Sequence, residues 1–228
     1  MTVTAVEEYK KNKYRIYLND AFAFVLYKGD LRHFDITEGR ELDDADLAQI
    51  RAEIVKRAKL RTMHLLQSRD YTESAMRRKL KENLYPEDVI EEALAYVKGY
   101  HYIDDRRYAM SFITSHAASL TNRQISEKLR MKGIAAELIT ECLSDYEAEH
   151  EMSDHGFDAD DGTSGNRSRE EQLLYKKMGD KLKRIPEDAP MDHAAKQKLF
   201  ASFYRKGFSL SLIERVYEEL TRDSGNVT

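Results

Sequence analysis

The sequence predicts a mainly α-helical protein, built as tandem three-helix repeats in an elongated array of three units, with a small N-terminal β-strand region. Three observations predict it. Charged residues make up 34% of the chain, while Gly (10) and Pro (3) are scarce, which favours long helical stretches. One short region alone, within residues 14–36, is rich in aromatic and β-branched residues. A sixteen-residue pattern then recurs three times without gaps. With 228 residues, the chain is long enough to bury a substantial core.

Residues 1–42 read as the β-strand extension. YRIYL, then Asn19-Asp20, then AFAFVLY form two strands across a tight turn, and LRHFDI after Lys28-Gly29-Asp30 is a candidate third strand. So few strands need a helix to pack on. Residues 43–100 hold a linking helix and repeat one. Asp43-Asp44 open the helix, and Leu47, Ile50, Ile54, Ala58, Leu65 and Leu66 follow at helical spacing to about Ser68, either unbroken or bent midway. Thr72 suits a helix cap, and Pro86 a first turn. Residues 101–149 form repeat two, where Thr121-Asn122-Arg123-Gln124 is a capping-box pattern. Residues 150–167 are acidic, carry Gly and Ser, and lack periodicity, so they are expected to be a flexible linker. Repeat three occupies 168–228, with helices from near Ser168 to about Arg222.

The repeat aligns KLKENLYPEDVIEEAL (79–94), KLRMKGIAAELITECL (128–143) and SFYRKGFSLSLIERVY (202–217). From Leu80, Leu129 and Phe203, apolar residues recur at matched positions: Val89, Ile90, Ala93, Leu94; Leu138, Ile139, Cys142, Leu143; Leu212, Ile213, Val216, Tyr217. Gly133 and Gly207 match, each ending its helix in a left-handed turn. Leu84 stands at that place in the first copy, so a different turn is expected there. Each unit has a preceding helix, at 56–68, 104–119 and 168–183.

Charge and cysteine content exclude several classes. The net charge is −4, but eight acids lie between Asp145 and Asp161 with no Lys or Arg, and the remainder carries +4. Residues 51–132 hold 17 Lys and Arg against 11 acids, a bias that fits nucleic acid already presented by another protein. The lone Cys142 rules out an intramolecular disulfide and a cysteine zinc site; at a repeat core position it reads as a buried small hydrophobe. The opening MTVTAVEEYKKNKY has no apolar core and no run of about 18 apolar residues exists, so a cytoplasmic protein with no membrane span is expected.

The chain resembles the RecX family of regulatory proteins, the RecA modulators. HLLQSRDYTESAMRRKL (64–80), GYHYIDDRRYA (99–109) and QISEKLRMKGI (124–134) carry the resemblance, which covers about residues 55–145. It implies a protein that binds the RecA–single-stranded DNA filament, commonly along its groove, and inhibits strand exchange and ATP hydrolysis in DNA repair and recombination. It implies no cofactor, no metal and no catalysis. Leu84 and the long acidic 150–167 segment depart from the family pattern, and the second leaves the placement of repeat three open.

Candidate residues divide by chemistry. Asp104-Asp105 can hold a metal, but adjacent helical side chains project about 100° apart and no third acid or nucleophile motif lies nearby. The better reading is a helix start, with Asp104 accepting first-turn amides, Asp105 favouring the positive helix end, Arg106 and Arg107 facing outward, and Tyr108, Phe112 and Ile113 facing the core. The expected partner-contact surface is Arg77, Arg78, Lys79 and Lys81, with Arg123, Lys128, Arg130 and Lys132 in repeat two and Lys198, Arg205 and Lys206 in repeat three. Solvated helical charge is the plainer explanation for any one of these. Tyr100, Tyr102, Tyr108 and Tyr204 read as packing between helices in preference to base stacking. His150 and His155 flank acids, without metal-site composition. A monomer that meets single-stranded DNA weakly or through RecA is expected. The alternative is a direct DNA-binding transcriptional regulator with helix-turn-helix-like units, reading bases through Asn122-Arg123-Gln124. A metal-dependent nuclease built on Asp104 and Asp105 is a third, disfavoured class. Masking of the basic face by the acidic linker is a further expectation.

Overall fold

A computed structural model describes residues 1–153, 167–185 and 192–224. The chain divides into two compact units, Met1–Asp105 and Arg106–Thr228.

The first unit begins with a three-stranded antiparallel meander: β1 (Val3–Lys10), β2 (Lys13–Leu18) and β3 (Ala21–Tyr27), in spatial order β1-β2-β3. Asn19 (φ 49°) and Asp20 (φ 66°) both take left-handed backbone between Leu18 and Ala21, as a two-residue hairpin turn demands. The third strand is β1 and not LRHFDI. Residues Lys28–His33 form a short helix, α1, because the Asp30 carboxylate accepts the Tyr27 amide (2.8 Å) and turns the chain out of the sheet. β1 lacks a strand signature because its outer half, EEYK, is polar and three of those four residues are exposed. Ile16, Phe24 and Leu26 cover the inner face and join Ile36, Leu42, Ile50 and Ile54 in one core.

Helix α2 (Asp44–Leu66) runs unbroken, opened by an Asp43–Asp46 capping box. Helices α3 (Glu73–Glu82) and α4 (Glu87–Gly99) pack beside it, and their buried Met76, Leu80, Val89, Ile90, Ala93, Leu94 and Val97 continue the same core. Arg57 on α2 clamps the buried Asp30 with both terminal nitrogens, and its guanidinium lies 4.7 Å from the Tyr27 ring centroid. Burial by itself raises the Asp30 pKa, but the bonds from Arg57 and the Tyr27 amide outweigh it and leave the carboxyl below its ordinary value.

The second unit continues from α5 (Asp105–His116) through α6 (Asn122–Met131) and α7 (Ala136–Ser153), then α8 (Arg169–Leu182), α9 (His193–Tyr204) and α10 (Leu210–Ser224). α8 begins next to Ser168, where helices were expected to resume, and the Ser168 hydroxyl caps it. α7 extends to Ser153, so residues 150–153, expected as linker, are helical; the rest of the expected linker, with His155, lies outside the described residues apart from Arg167. The unit holds two separate apolar clusters, one per repeat. Ala109, Ile113, Ile125, Leu129, Ile139 and Cys142 form the first, and Leu174, Met178, Phe203, Phe208, Ile213 and Val216 the second. Tyr108 and Phe112 pack on the first, as expected.

The repeat is visible as one turn built three times. Leu84 (φ 60°), Gly133 (φ 83°) and Gly207 (φ 100°) all adopt the left-handed conformation. The amides of Tyr85, Ile134 and Phe208 each return to the carbonyl five residues back, on Leu80, Leu129 and Phe203. Leu84 therefore does not build a different turn; it takes the strained backbone that glycine adopts easily and makes the same return hydrogen bond. Gly207 carries a second constraint. A Cβ there would stand 2.7 Å from Arg123 Cβ.

Substitutions at the turns and at the Asp30–Arg57 pair have expected outcomes. Gly133→Ala lowers stability by about 1 kcal/mol through backbone strain, and Gly207→Ala lowers it by roughly 2 kcal/mol or more because the contact with Arg123 adds to the strain. Urea midpoints check the ranking. Arg57→Met costs about 3 kcal/mol by leaving Asp30 buried without its cation. The folded Asp30 pKa is depressed, so its contribution is full above about pH 4 and is lost as pH falls through the folded value. Stability measured against pH therefore drops in acid, and Asp30→Asn flattens that limb.

Candidate functional site

On α2, α3 and α4 most of the basic residues are paired with acids of the same unit. Arg77 on α3 reaches Glu73 (3.2 Å), Glu87 (3.0 Å) and Glu91, which ties α3 to α4. The Glu91 bond is the main reason the Arg77 pKa is raised. Lys81 pairs with Glu87 (2.9 Å), Lys79 with Glu82 (2.7 Å) and Lys98 with Glu73 (2.6 Å). Among the described residues Arg78 is exposed and in no ion pair; Arg77, Lys79 and Lys81 are each answered by a carboxylate of the same unit.

Asp104 and Asp105 do not form a catalytic pair. α5 starts at Asp105, and the Asp105 carboxylate accepts the first amide of α3, that of Glu73, at 2.9 Å. Burial raises its pKa against the pull of that bond. The adjacent Thr72 hydroxyl, itself buried, accepts the Ala75 amide at 3.2 Å. The orphan amides of the α3 N-terminus are thus shared between a local cap and the acid that opens α5. Among the described residues no group of three or more His, Cys, Asp or Glu can hold a metal.

The same construction recurs inside the second unit. Thr121 caps α6 by accepting the Gln124 amide (3.2 Å), and the amide of Asn122 bonds Glu170 on α8 (2.8 Å). The Thr121 hydroxyl also donates to the Lys206 carbonyl at 2.6 Å. Arg169 donates to the carbonyls of Ala117 (2.6 Å) and Leu120 (3.2 Å), just beyond the end of α5, and to Asn122. Neither Arg169 nor Glu170 stood out in the sequence; a cation followed by an acid at a helix start resembles ordinary surface charge.

This junction uses the residues that a base-reading helix would need free. Asn122 Nδ2 bonds Glu147 (2.6 Å), Arg123 pairs with Glu127 (3.2 Å), and Gln124 Oε1 accepts the Thr121 amide (3.3 Å). Arg106, expected to face outward freely, pairs with Glu141 (3.5 Å) and Asp145 on α7. Lys132 lies over the Tyr108 and Phe112 rings. Lys128 and Arg130, in the last turn of α6, are exposed and unpaired among the described residues, and Arg107 is exposed. Arg205 and Lys206 form the turn between α9 and α10. Tyr100 and Tyr102 are not packed between helices; they are 59% and 49% exposed and stack on each other at 5.9 Å. Tyr204 is exposed too, while Cys142 is buried as expected.

Fold and polar contacts together define a tandem three-helix-repeat protein with a small N-terminal sheet. Similarity to known proteins makes the class specific. Residues 58–96 match the RecX first three-helix domain, and residues 104–143 the RecX second three-helix domain. Relatives named Regulatory protein RecX align over nearly the whole chain. The Bacillus licheniformis protein is 26% identical over 95% of this chain and 98% of its own length. The Bacillus subtilis protein is 26% identical over 99% and 80%, and the Limosilactobacillus reuteri protein 29% over 92% and 73%. A crystal structure of regulatory protein RecX superposes with a TM-score of 0.58 at 26% identity, covering 95% of this chain and 98% of that one. RecX from Lactobacillus salivarius shares the fold, with a TM-score of 0.55 at 19% identity over 75% of this chain and 98% of its own. The chain belongs to the RecX family, and these relatives support a regulatory role. Among the described residues no helix is long and apolar enough to cross a membrane.

Asp105→Ala is expected to lower stability by about 1–2 kcal/mol, the cost of an unanswered buried amide, and Mg²⁺ is expected to restore none of it. Thermal melts with and without the metal check both parts.

Proposed function

We propose that this chain is a non-enzymatic regulator that binds a RecA–single-stranded DNA filament and inhibits its ATP hydrolysis and strand exchange. The observation that carries the reading is the near full-length similarity to proteins named Regulatory protein RecX, with both three-helix domains matched. The surface is compatible with it. Arg78, Lys128 and Arg130 lie near the ends of their repeats' second helices, exposed and unpaired among the described residues, with Arg107, Arg205 and Lys206 as further contacts. Arg77, Lys79 and Lys81 are secondary, because contact there must compete with Glu82, Glu87 and Glu91. The rival transcriptional-regulator reading loses its base-reading cluster to the Thr121 junction. The domain division that accompanies this reading keeps three three-helix repeats behind an N-terminal sheet.

Purified protein is expected to slow DNA-dependent ATP hydrolysis by RecA at or below one copy per recombinase. Arg78→Glu, Lys128→Glu and Arg130→Glu together raise the half-inhibitory concentration by roughly tenfold, as loss of a few charged contacts does. Arg77→Glu acts differently, lowering the melting temperature by setting a fourth carboxylate among three. A wild-type protein without effect on the ATPase sinks the reading, and inhibition that survives the triple reversal moves the contact face elsewhere.

A further inference from the structure

Every lysine on α2, α3 and α4 sits beside an acid. Lys56, Lys59, Lys79, Lys81 and Lys98 each lie within 4.0 Å of a carboxylate, and an opposite charge at that range favours the ammonium form. Lys181 on α8 stands in the reverse setting. Its Nζ and that of Lys206 both lie over the ring of the buried Phe203, at 5.1 and 5.3 Å from the centroid. One ring cannot answer two cations. Arg205 adjoins Lys206 in the turn after α9. Among the described residues none of these three cations forms an ion pair, although Asp180 precedes Lys181 in the chain.

That setting activates an amine. Burial lowers the pKa of Lys181, and the charges of Lys206 and Arg205 lower it further. A lysine destabilised as its ammonium by burial and by neighbouring cations becomes a nucleophile. Its Nζ donates to Ser202 Oγ at 2.9 Å, and that hydroxyl donates in turn to the Leu199 carbonyl at 2.7 Å. The hydroxyl therefore holds the amine through one N–H, with no countercharge, and leaves the nitrogen lone pair to react. Lys177, one turn earlier on α8, shares the burial and the charge of Lys206 but not that of Arg205. Its Nζ donates to the Ser119 carbonyl at 2.5 Å.

We propose that Lys181 is a site of non-enzymatic acylation by acyl phosphates, with Lys206 and Arg205 holding the phosphate leaving group. The Nζ lone pair attacks the acyl carbonyl carbon and forms a C–N bond. The C–O bond to phosphate breaks, its electron pair leaves on inorganic phosphate, and the surplus proton on nitrogen passes to solvent. Nothing is oxidised or reduced. The two turn cations act on both reactants: they destabilise the ammonium beforehand and draw the anionic donor toward it. The product is a neutral amide, so the cluster loses one positive charge and its repulsion is relieved. The chemistry needs no recombinase and is independent of the filament reading.

The test is incubation of the folded full chain with acetyl phosphate, with acetylation of each lysine followed over time by peptide mass spectrometry. Lys176 and Lys183, exposed on α8 and just beyond its end, are the internal references. Lys181 is expected to react about fivefold faster than either, since destabilising the ammonium raises the fraction of free amine. In urea the preference is expected to vanish, because the cluster exists only in the fold. Lys206→Gln with Arg205→Gln is expected to slow Lys181 about threefold and to leave Lys176 and Lys183 unchanged. Lys206→Arg keeps the charge and is expected to keep the Lys181 rate; it carries the comparison if the Gln pair does not fold, and loss of the preference there counts against the site. A neutral donor, the N-hydroxysuccinimide ester of acetic acid, is expected to show a smaller preference for Lys181, because it offers the two cations no phosphate. Equal rates at the three lysines with acetyl phosphate, a preference that persists in urea, or an undiminished Lys181 rate in the Gln pair overturns the proposal. So does an equal preference with the neutral ester, or faster reaction with acetyl coenzyme A than with acetyl phosphate, which assigns the site to thioesters.

Discussion

The first amide of a helix has no partner within its own helix, and this chain answers it twice with a carboxylate from the second helix further along. Glu73 gives its amide to Asp105, and Asn122 gives its amide to Glu170. In both places a buried threonine, Thr72 or Thr121, satisfies a second amide at the same helix end. Three short helices bury little apolar surface by themselves, so a repeat depends on such polar joints as well as on its core. In the second unit the joint links two separate apolar clusters. Arg169 closes it from the other side by taking the carbonyls left open beyond α5.

The joints also decide which charges remain for a partner. A cation that bridges two helices, as Arg77 does between α3 and α4, contributes to the fold and is costly to redirect. Arg78 beside it points elsewhere and has no such duty. The same sorting in the second unit gives Arg106 and Arg169 partners on neighbouring elements, whereas Lys128 and Arg130 are exposed and unpaired among the described residues. A net charge of −4 therefore conceals local surfaces of opposite sign.

Much of the fold was legible in residues, and the failures have definite causes. The Asn19-Asp20 hairpin, the helix start at Asp43, the Thr72 and Thr121 caps and the repeat's apolar positions all follow from local chemistry and appear as expected. The third strand was misplaced because Val3–Lys10 alternates only in its first half, while LRHFDI imitates a strand until Asp30 turns back on Tyr27. Leu84 misled because side-chain type predicts backbone preference, and a packed repeat overrides a preference of about 1 kcal/mol. The role of Asp105 escaped notice since its partner lies 32 residues away, on another helix.

By itself the sequence determined the helical repeat, its period, its caps and its core, because each of these depends on residues within a few turns of one another. It also carried the motifs by which the family is recognised. Tertiary structure alone decided which of many similar basic residues are bound to the protein's own acids and which are not. Partner choice among charges depends on distances between helices far apart in the chain, and an Arg or Lys looks the same in sequence whether a carboxylate waits for it or a ligand does.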